Sequence, residues 1–303
     1  MTMPNFLIIG APKAGTTALY RYLKEHPQIY MSPLKETQFF VFVDEEDLSF
    51  SSNEPFLKQY KQTKDIESYY TLFKGISQEI AIGEVSPWYI YLPKVASKIR
   101  KYIPDVKIIA ILRDPVERAY SNFLHSVRDD IEPINVNFVQ AMELEAERIR
   151  NNWSPRFHYK QKGFYYTQMK RYFDLFKPEQ IKVYIYEEFQ EKQIDILRDI
   201  FIFLGVDNTF VPDISKKYND SRIPRSRVYN KIMLRANPVD SISSILPSSL
   251  RNKIKNRLVK INLSEQKPNL PKAVREKFIK EYREDILKLQ DLIQKDLSHW
   301  LKV

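Results

Sequence analysis

The feature that most constrains this chain is its N-terminal segment, where an apolar run leads directly into a glycine-containing loop and a helix. Residues 6–10 read Phe-Leu-Ile-Ile-Gly, and four consecutive apolar residues predict a buried parallel strand. Gly10, Pro12 and Gly15 lie in the loop, and residues 16–26 predict an amphipathic helix. In such a layout, backbone N–H groups and the positive end of the helix converge on one anion. We call residues 10–17 the phosphate cradle.

The spacing of the cradle is close to that of the Walker A motif of nucleoside triphosphatases, but one position differs. Gly10 and Gly15 have the separation of the two glycines of that motif, whereas Thr16 stands where the motif has lysine. The lysine lies earlier, at Lys13, and Thr16 and Thr17 supply two hydroxyl groups. The pattern predicts a phosphate site that is not tuned to reach a γ-phosphate. A tight turn without a ligand is the alternative.

Residues 12–17, Pro-Lys-Ala-Gly-Thr-Thr, resemble the 5′-phosphosulfate loop of the sulfotransferases that use 3′-phosphoadenosine 5′-phosphosulfate (PAPS). The resemblance implies that Lys13 binds the 5′-phosphate and the bridging oxygen, and stabilises charge on the departing nucleotide. It also implies that backbone N–H groups and two threonine hydroxyls hold the phosphosulfate. The residues concerned are Ala14, Gly15, Thr16 and Thr17.

A second phosphate site is implied at the end of another apolar strand. Residues 107–121, Lys-Ile-Ile-Ala-Ile-Leu-Arg-Asp-Pro-Val-Glu-Arg-Ala-Tyr-Ser, resemble the 3′-phosphate motif of the same family. There, the arginine that ends the strand and the serine eight residues later bind the 3′-phosphate, and they match Arg113 and Ser121. A planar guanidinium suits this role because it can donate two parallel hydrogen bonds to phosphate. The alternative is a surface ion pair of Arg113 with Asp114 or Glu117.

A candidate catalytic base lies in residues 33–40, Pro-Leu-Lys-Glu-Thr-Gln-Phe-Phe. This segment resembles the part of the heparan-sulfate and related carbohydrate sulfotransferases that carries the catalytic glutamate, and the match falls on Glu36. Sulfuryl transfer requires a base that takes the proton of the acceptor hydroxyl or amine. Lys35 is expected to neutralise charge on the sulfuryl group or to orient the acceptor. A solvated pair of Lys35 and Glu36 on a loop is the alternative.

The acceptor side is represented by residues 83–89, Gly-Glu-Val-Ser-Pro-Trp-Tyr, which resemble the Glu-Lys-Ser-Pro-x-Tyr segment of the family. Ser86 and Trp88 are therefore candidate acceptor contacts. Val85 replaces the family's lysine, which removes a charge expected to contact an anionic polysaccharide. His125 falls near a substrate-contacting position of those enzymes. It is a second candidate base, an acceptor contact or a helix-surface histidine.

Positive charge is concentrated in one part of the chain. The net charge is +10, and residues 222–260 alone hold ten Lys or Arg and one acid. Arg225, and after it Arg222, match a basic loop that closes over the nucleotide in the family, so both are expected to contact the 3′-phosphate. Residues 231–260 have three possible roles: a groove or lid for an anionic acceptor, an interfacial helix on an anionic membrane, or a solvated helix that covers the core.

Strands alternate with helices, which predicts an α/β fold: a three-layer, doubly wound, mostly parallel sheet of the P-loop NTPase-like sulfotransferase type. Residues 1–303 are expected to form a single sulfotransferase domain, with a basic, irregular segment at about 216–262 on the acceptor side. Ligands of such sheets bind at the carboxyl ends of the strands, where the proposed motifs lie. Single helices are predicted over 138–149, 164–176 and 272–301.

Composition excludes several kinds of site. The chain has no cysteine, which excludes disulfides, thiolate zinc sites and cysteine nucleophiles and fits a cytoplasmic location. Its four histidines show no metal-binding spacing. No apolar run approaches the roughly 18 residues of a membrane-spanning helix. A strand that begins at residue 6 leaves no room for a signal peptide.

These features together predict a PAPS-dependent sulfotransferase. It would move a sulfuryl group to a hydroxyl or amine of a carbohydrate, lipid or small metabolite and release 3′,5′-adenosine bisphosphate, without a metal. The expected partner is a glycan or lipid acceptor, with possible peripheral membrane contact through residues 231–260 and no nucleic acid. A P-loop kinase or nucleoside triphosphatase is the alternative, although Thr16 and the lack of a plain Walker B acid disfavour it. A nucleic-acid-binding protein would fit the basic composition, but no motif supports one.

Overall fold

A parallel sheet forms the centre of the molecule. The computed structural model describes residues 2–45, 63, 65–215, 223–236, 254, 257, 261–264 and 267–302. Within them the sheet has five strands: β1 (Phe6–Gly10), β2 (Ile29–Met31), β3 (Ala81–Val85), β4 (Lys107–Leu112) and β5 (Ile181–Ile185). Their order is β2-β3-β1-β4-β5, and every neighbouring pair is parallel. The predicted α/β sheet is confirmed.

The helices connect the strands and cover the sheet. They are α1 (Thr16–Glu25), α2 (Phe39–Phe42), α3 (Ile66–Thr71), α4 (Val95–Tyr102), α5 (Pro115–Arg128), α6 (Phe138–Glu143), α7 (Glu145–Arg150), α8 (Tyr165–Phe173), α9 (Tyr186–Glu191), α10 (Gln193–Leu204), α11 (Arg227–Lys231) and α12 (Lys272–Ile293). A π-helical turn, Ile232–Ala236, follows α11. None of the helices in the described ranges is long and apolar enough to cross a membrane.

The centre of the sheet is tightly packed. Every residue of β1 is buried, and Phe6 lies in register with Gly83 on β3. A Cβ atom placed on Gly83 would lie 2.1 Å from the ring of Phe6, so any larger residue at this strand position would force the ring to move. Apolar side chains on both faces of a parallel sheet explain the continuous apolar runs of the sequence.

The strand order places a ligand crevice between β1 and β4. From β1 the chain continues to β2 at one edge of the sheet, and from β4 it continues to β5 at the other edge. Connections that leave neighbouring strands in opposite directions open a crevice beyond their carboxyl ends. The phosphate cradle follows β1, and Arg113 follows β4, so both predicted phosphate sites lie at this crevice.

Three helix predictions differ from the structure. The helix expected over 138–149 is two helices separated at Leu144, and the carboxylate of buried Glu145 accepts N–H groups of residues 160 and 161. The helix expected over 164–176 is shorter, Tyr165–Phe173. The terminal helix stops at Ile293 rather than at residue 301, because Gln294 adopts a left-handed backbone with φ 53°. That turn carries Leu297 and Trp300 back into the core.

The basic segment is described only in part. Residues 223–226 pair with 261–264 through a bridge between Pro224 and Leu263. Most of the predicted acceptor-side segment 216–262, including most of 231–260, lies outside the described residues. The single-domain assignment of residues 1–303 stays a prediction.

Candidate active site

The phosphate cradle has the backbone of an anion site. Lys13 and Gly15 adopt positive φ angles of 70° and 89°, which turn the loop sharply into α1. Gly15 is the N-cap residue of α1 and contributes no side-chain cap, so the first-turn N–H groups remain for an external acceptor. The N–H of Ala11 donates to the carbonyl of Ile111 at 2.7 Å and ties the loop to β4. Thr16 is buried and Thr17 is half-buried at the start of the helix.

Lys13 is half-buried and electrostatically perturbed. Burial, followed by the nearby guanidinium of Arg128, lowers the pKa of Lys13 from 10.5 to about 8, while Asp129 and Glu36 oppose this shift. The ammonium group is still mostly protonated at neutral pH. A bound anion would favour the charged form further, since opposite charges at short range stabilise each other.

Arg113 extends from the end of β4 towards the cradle. Its Nη1 donates to the main-chain oxygen of Lys13 at 3.1 Å, and its guanidinium lies 4.6 Å from the ring centroid of Tyr186. Its Nη2 lies 3.5 Å from Glu117 Oε2, so the ion pair of the alternative interpretation exists, yet the Arg113 side chain is only 13% exposed and is not a surface group. Its buried Nε has no hydrogen-bond partner among the residues that the structure describes. A buried donor without a partner is unfavourable, and a bound phosphate would satisfy it.

The structure gives less support to the other three predicted contacts of the 3′-phosphate. Ser121 lies on the buried side of α5. Arg225 is exposed, and its backbone N–H donates to the carbonyl of Asn262 at 2.6 Å. Arg222 lies outside the described residues. Their phosphate contacts stay predictions.

Glu36 lies near the cradle on the loop that leads to α2. Its backbone has a positive φ of 62°, and its N–H donates to the carbonyl of Val85 at 2.8 Å. Its carboxylate forms an ion pair with Lys35, and the two side chains are 29% and 25% exposed. The predicted loop pair is therefore present but partly buried. Glu36 raises the pKa of Lys13, which shows that the carboxylate and the cradle ammonium are close enough to interact.

His125 completes this group from α5. Its Nδ1 lies 3.3 Å from Asp129 Oδ2, one helical turn later. Burial and then the ammonium of Lys13 lower the pKa of His125 to about 3, so its imidazole is neutral at neutral pH. The structure thus places two predicted catalytic side chains, Glu36 and His125, within electrostatic range of a third, Lys13, and the three come from separate segments.

The two predicted acceptor contacts on the segment after β3 differ in exposure. Ser86 is buried, accepts the N–H of Gln38 at 3.3 Å and donates to Glu84 at 3.3 Å. Trp88 is half-buried, and the Nζ of Lys162 lies 6.0 Å from the centroid of its ring. Their role towards an acceptor stays a prediction.

Some residues of the site were not singled out from the sequence. Arg128 lowers the pKa of Lys13 more than Arg113 does, and Tyr186 supports the Arg113 guanidinium. Glu84 is a fully buried acid at the centre of a hydroxyl cluster. The sequence contains a signal for two of these residues: Glu84 is an acid inside an otherwise apolar strand, and Arg128 lies about one helical turn after His125.

Comparison with known proteins identifies the family. The model of the family described as "Sulfotransferase family" matches residues 4–210, more than half of the chain. This chain belongs to the sulfotransferase family. The predicted sulfotransferase family and the sulfotransferase fold are confirmed, whereas the alternative of a P-loop kinase or nucleoside triphosphatase is not.

Individual relatives agree with this assignment. The "Membrane-associated sulfotransferase kil1" of Dictyostelium discoideum is 32% identical over 155 residues, which cover 49% of this chain and 29% of that protein. The "Bifunctional heparan sulfate N-deacetylase/N-sulfotransferase 4" of Mus musculus is 28% identical over 213 residues, which cover 67% of this chain and 22% of that protein. This sulfotransferase therefore spans less than a third of the length of these curated relatives.

A solved structure covers the whole chain. The sulfotransferase from Alicyclobacillus acidocaldarius superposes with a TM-score of 0.74 and 32% sequence identity, and the match covers 100% of both chains. The similarity therefore extends beyond the two phosphate motifs to the whole of the given sequence.

Proposed function

We propose that this chain transfers the sulfuryl group of PAPS to an amine or hydroxyl group of a carbohydrate, and that Glu36 is the base. The observation that carries the proposal is the meeting of Lys13, Glu36 and His125 beside a cradle to which Arg113 is hydrogen-bonded. An acid, a base and a phosphate site in one place are what sulfuryl transfer requires. Relatives named for heparan sulfate N-sulfotransferase and "Carbohydrate sulfotransferase 15" support a carbohydrate acceptor.

The transfer assigns one task to each side chain. PAPS supplies an activated sulfuryl group on a phosphate leaving group. As the acceptor oxygen or nitrogen forms its bond to sulfur, Glu36 takes the proton of that atom. Lys13 stabilises the electron pair left on the phosphate oxygen when the sulfur–oxygen bond breaks. Lys35, which is paired with Glu36, keeps a positive charge beside the carboxylate before the proton arrives.

His125 is assigned to the acceptor. Because its pKa is low, the imidazole is neutral and can accept a hydrogen bond from an acceptor hydroxyl or amine. A neutral imidazole with so low a pKa is a weak base, which favours Glu36 as the group that removes the proton.

Arg113 is assigned to the 3′-phosphate. A phosphate beside its guanidinium would bond the free Nε and compete with Glu117 for Nη2. Glu117 is also paired with Lys267 at 2.9 Å, so it keeps a partner when Arg113 turns to the ligand. Ser121, Arg225 and Arg222 are proposed as additional contacts of this phosphate.

A peripheral membrane contact is proposed for the basic segment. Val228, Ile232 and Ile261 are 59%, 50% and 66% exposed, and they lie within or beside a stretch that holds ten cations and one acid. Exposed apolar groups among cations are typical of a surface that rests on anionic lipid. Flotation with vesicles containing phosphatidylglycerol at low salt tests this contact, and failure to float overturns it.

The cytoplasmic location stays a prediction, based on the absence of cysteine.

Two measurements test the proposed reaction. A thermal-shift titration compares 3′,5′-adenosine bisphosphate with ATP and Mg²⁺; a ligand at 100 times its Kd adds about 2.7 kcal/mol, enough to move Tm by several degrees. We expect a shift with the bisphosphate alone. Release of the bisphosphate from PAPS is then measured with de-N-sulfated heparin, a neutral glucan and a lipid alcohol. Turnover with the lipid only would overturn the carbohydrate assignment and leave the donor assignment intact.

A further inference from the structure

Glu84 is a fully buried carboxylate surrounded by hydroxyl groups. It lies near the end of β3, and its side chain is 0% exposed. Thr37 and Ser86 donate to Oε2, the latter at 3.3 Å, and Tyr69 and Tyr89 donate to Oε1 at 3.1 and 2.7 Å. In the described part of the chain, no hydrogen bond or ion pair joins it to a lysine, arginine or histidine. Such a group is costly to bury unless its acceptor sites are filled.

Three of these hydroxyls also hold the backbone that follows Glu36. The backbone N–H groups of three consecutive residues donate to hydroxyl oxygens at 3.2 to 3.3 Å: Gln38 to Ser86, Phe39 to Thr37 and Phe40 to Tyr89. A hydroxyl has one proton, and a backbone N–H can only donate. With Glu84 ionised the direction of the network is set: N–H groups donate to the hydroxyls, and the hydroxyls donate to the carboxylate.

The number of donors favours an ionised Glu84. Four hydroxyl groups lie within hydrogen-bond distance of its two oxygens, and an ionised carboxylate can accept from all four, whereas a protonated carboxyl must donate to one of them. Burial raises the pKa of Glu84, and the four donors oppose that shift. An amide at this position would turn both hydroxyls on one side of the group from donors to acceptors, and each side includes at least one hydroxyl that also accepts a backbone N–H.

The segment held by this network has an unfavourable backbone. Glu36 and Gln38 both adopt left-handed φ angles, 62° and 54°, which non-glycine residues hold only when their surroundings impose them. The end of β3 also contacts β1, the strand that leads into the phosphate cradle, because Glu84 lies in register with Leu7 on β1. The next residue, Val85, accepts the N–H of Glu36 with its carbonyl. Glu84 thus lies between the strand that leads to Lys13 and the loop that carries Glu36.

We propose that Glu84 is a positioning residue, whose carboxylate orders the hydroxyl groups that hold residues 38–40 and so fixes Glu36 relative to Lys13. The inference rests on the proposed role of Glu36 as the base. Glu84 itself is too deeply buried to touch either substrate, so its effect on the rate passes through Glu36.

A double-mutant cycle of Glu84→Gln and Glu36→Gln tests the proposal, with sulfuryl transfer from radiolabelled PAPS to the acceptor that the wild type uses. We expect Glu84→Gln alone to lower kcat by about tenfold or more, with the Kd for 3′,5′-adenosine bisphosphate changed less than about twofold. In the Glu36→Gln background, the same substitution is expected to lower kcat by less than about twofold. A general loss of structure would reduce kcat equally in both backgrounds, and that result overturns the proposal.

Tyrosine variants provide a matched comparison if Glu84→Gln does not fold. Tyr89 and Tyr69 donate to the same carboxylate oxygen, but Tyr89 alone also accepts the N–H of Phe40. We expect Tyr89→Phe to lower kcat more than Tyr69→Phe, and equal losses would contradict the inference. A fully active Glu36→Gln would overturn the base assignment together with the positioning role. An inactive Glu36→Gln beside a fully active Glu84→Gln would overturn the positioning role alone.

Discussion

The guanidinium of Arg113 donates a hydrogen bond to the main-chain carbonyl of Lys13 at 3.1 Å, across 100 positions of sequence. This bond joins the ends of β1 and β4, the two strands between which the crevice opens. It places the residue proposed for the 3′-phosphate directly against the loop proposed for the 5′-phosphosulfate. Both ends of one nucleotide can therefore be bound at one site, and the following predictions separate the contributions.

The Glu36→Gln variant should lose turnover without losing the nucleotide. General base catalysis typically contributes about 10²–10⁴-fold, so a drop of this size in kcat is expected. The affinity for 3′,5′-adenosine bisphosphate should stay unchanged, because Glu36 is assigned to the acceptor. Calorimetry and a radiolabelled transfer assay measure the two quantities. If the variant keeps nearly the full rate, His125 becomes the residue to test as base.

The Arg113→Lys variant should lose much of its preference for nucleotides that carry a 3′-phosphate over those that lack one. An ammonium group cannot reproduce the two parallel hydrogen bonds of a guanidinium, and losing a charge-assisted contact costs about 1.5–3 kcal/mol. The affinity for 3′,5′-adenosine bisphosphate should fall accordingly, whereas that for adenosine 5′-monophosphate, which lacks the 3′-phosphate, should hardly change. Equal losses for both nucleotides would show that Arg113 supports the cradle and does not bind the 3′-phosphate.

Binding of the bisphosphate should weaken as the pH rises through about 8, the pKa of Lys13 in the free protein. The lowered pKa means that the ammonium loses its proton in this range, and the neutral amine no longer attracts the 5′-phosphate. Affinity should therefore be full below pH 7 and decline above pH 8. The Lys13→Arg variant is the control, because its guanidinium stays charged throughout. The same decline in that variant would assign the titration to another group.

The Gly83→Ala variant should destabilise the sheet. A Cβ atom there would lie 2.1 Å from the ring of Phe6 on β1, and overpacking of a core typically costs about 1–3 kcal/mol. Thermal unfolding should show a Tm lower by several degrees. Gly75→Ala is the matched control, since the three atoms nearest to its Cβ would all belong to the Tyr30 side chain, at 3.2 Å or more. A wild-type Tm for Gly83→Ala would mean that β1 and β3 separate more easily than their register indicates.

Local patterns were sufficient to predict the sheet and the two phosphate motifs. An apolar run followed by a glycine loop, or by arginine and a capped helix, is a feature of neighbouring residues, and the structure has a strand end at both places. Helix limits were less predictable. The breaks at Leu144 and Gln294 depend on where the buried Glu145 and Trp300 find their partners, which the helical periodicity does not contain.

The sequence by itself determined which chemical groups the site has: a lysine in the cradle, an arginine at a strand end, and a glutamate before two phenylalanines. Only the tertiary structure decided their environment. The pKa of Lys13 reflects burial and the charge of Arg128, and the direction of the network at Glu84 depends on hydroxyls from residues 37, 69, 86 and 89. Burial, charge proximity and hydrogen-bond direction are properties of distances in space, and these distances are set by the packing of segments that are far apart in the chain.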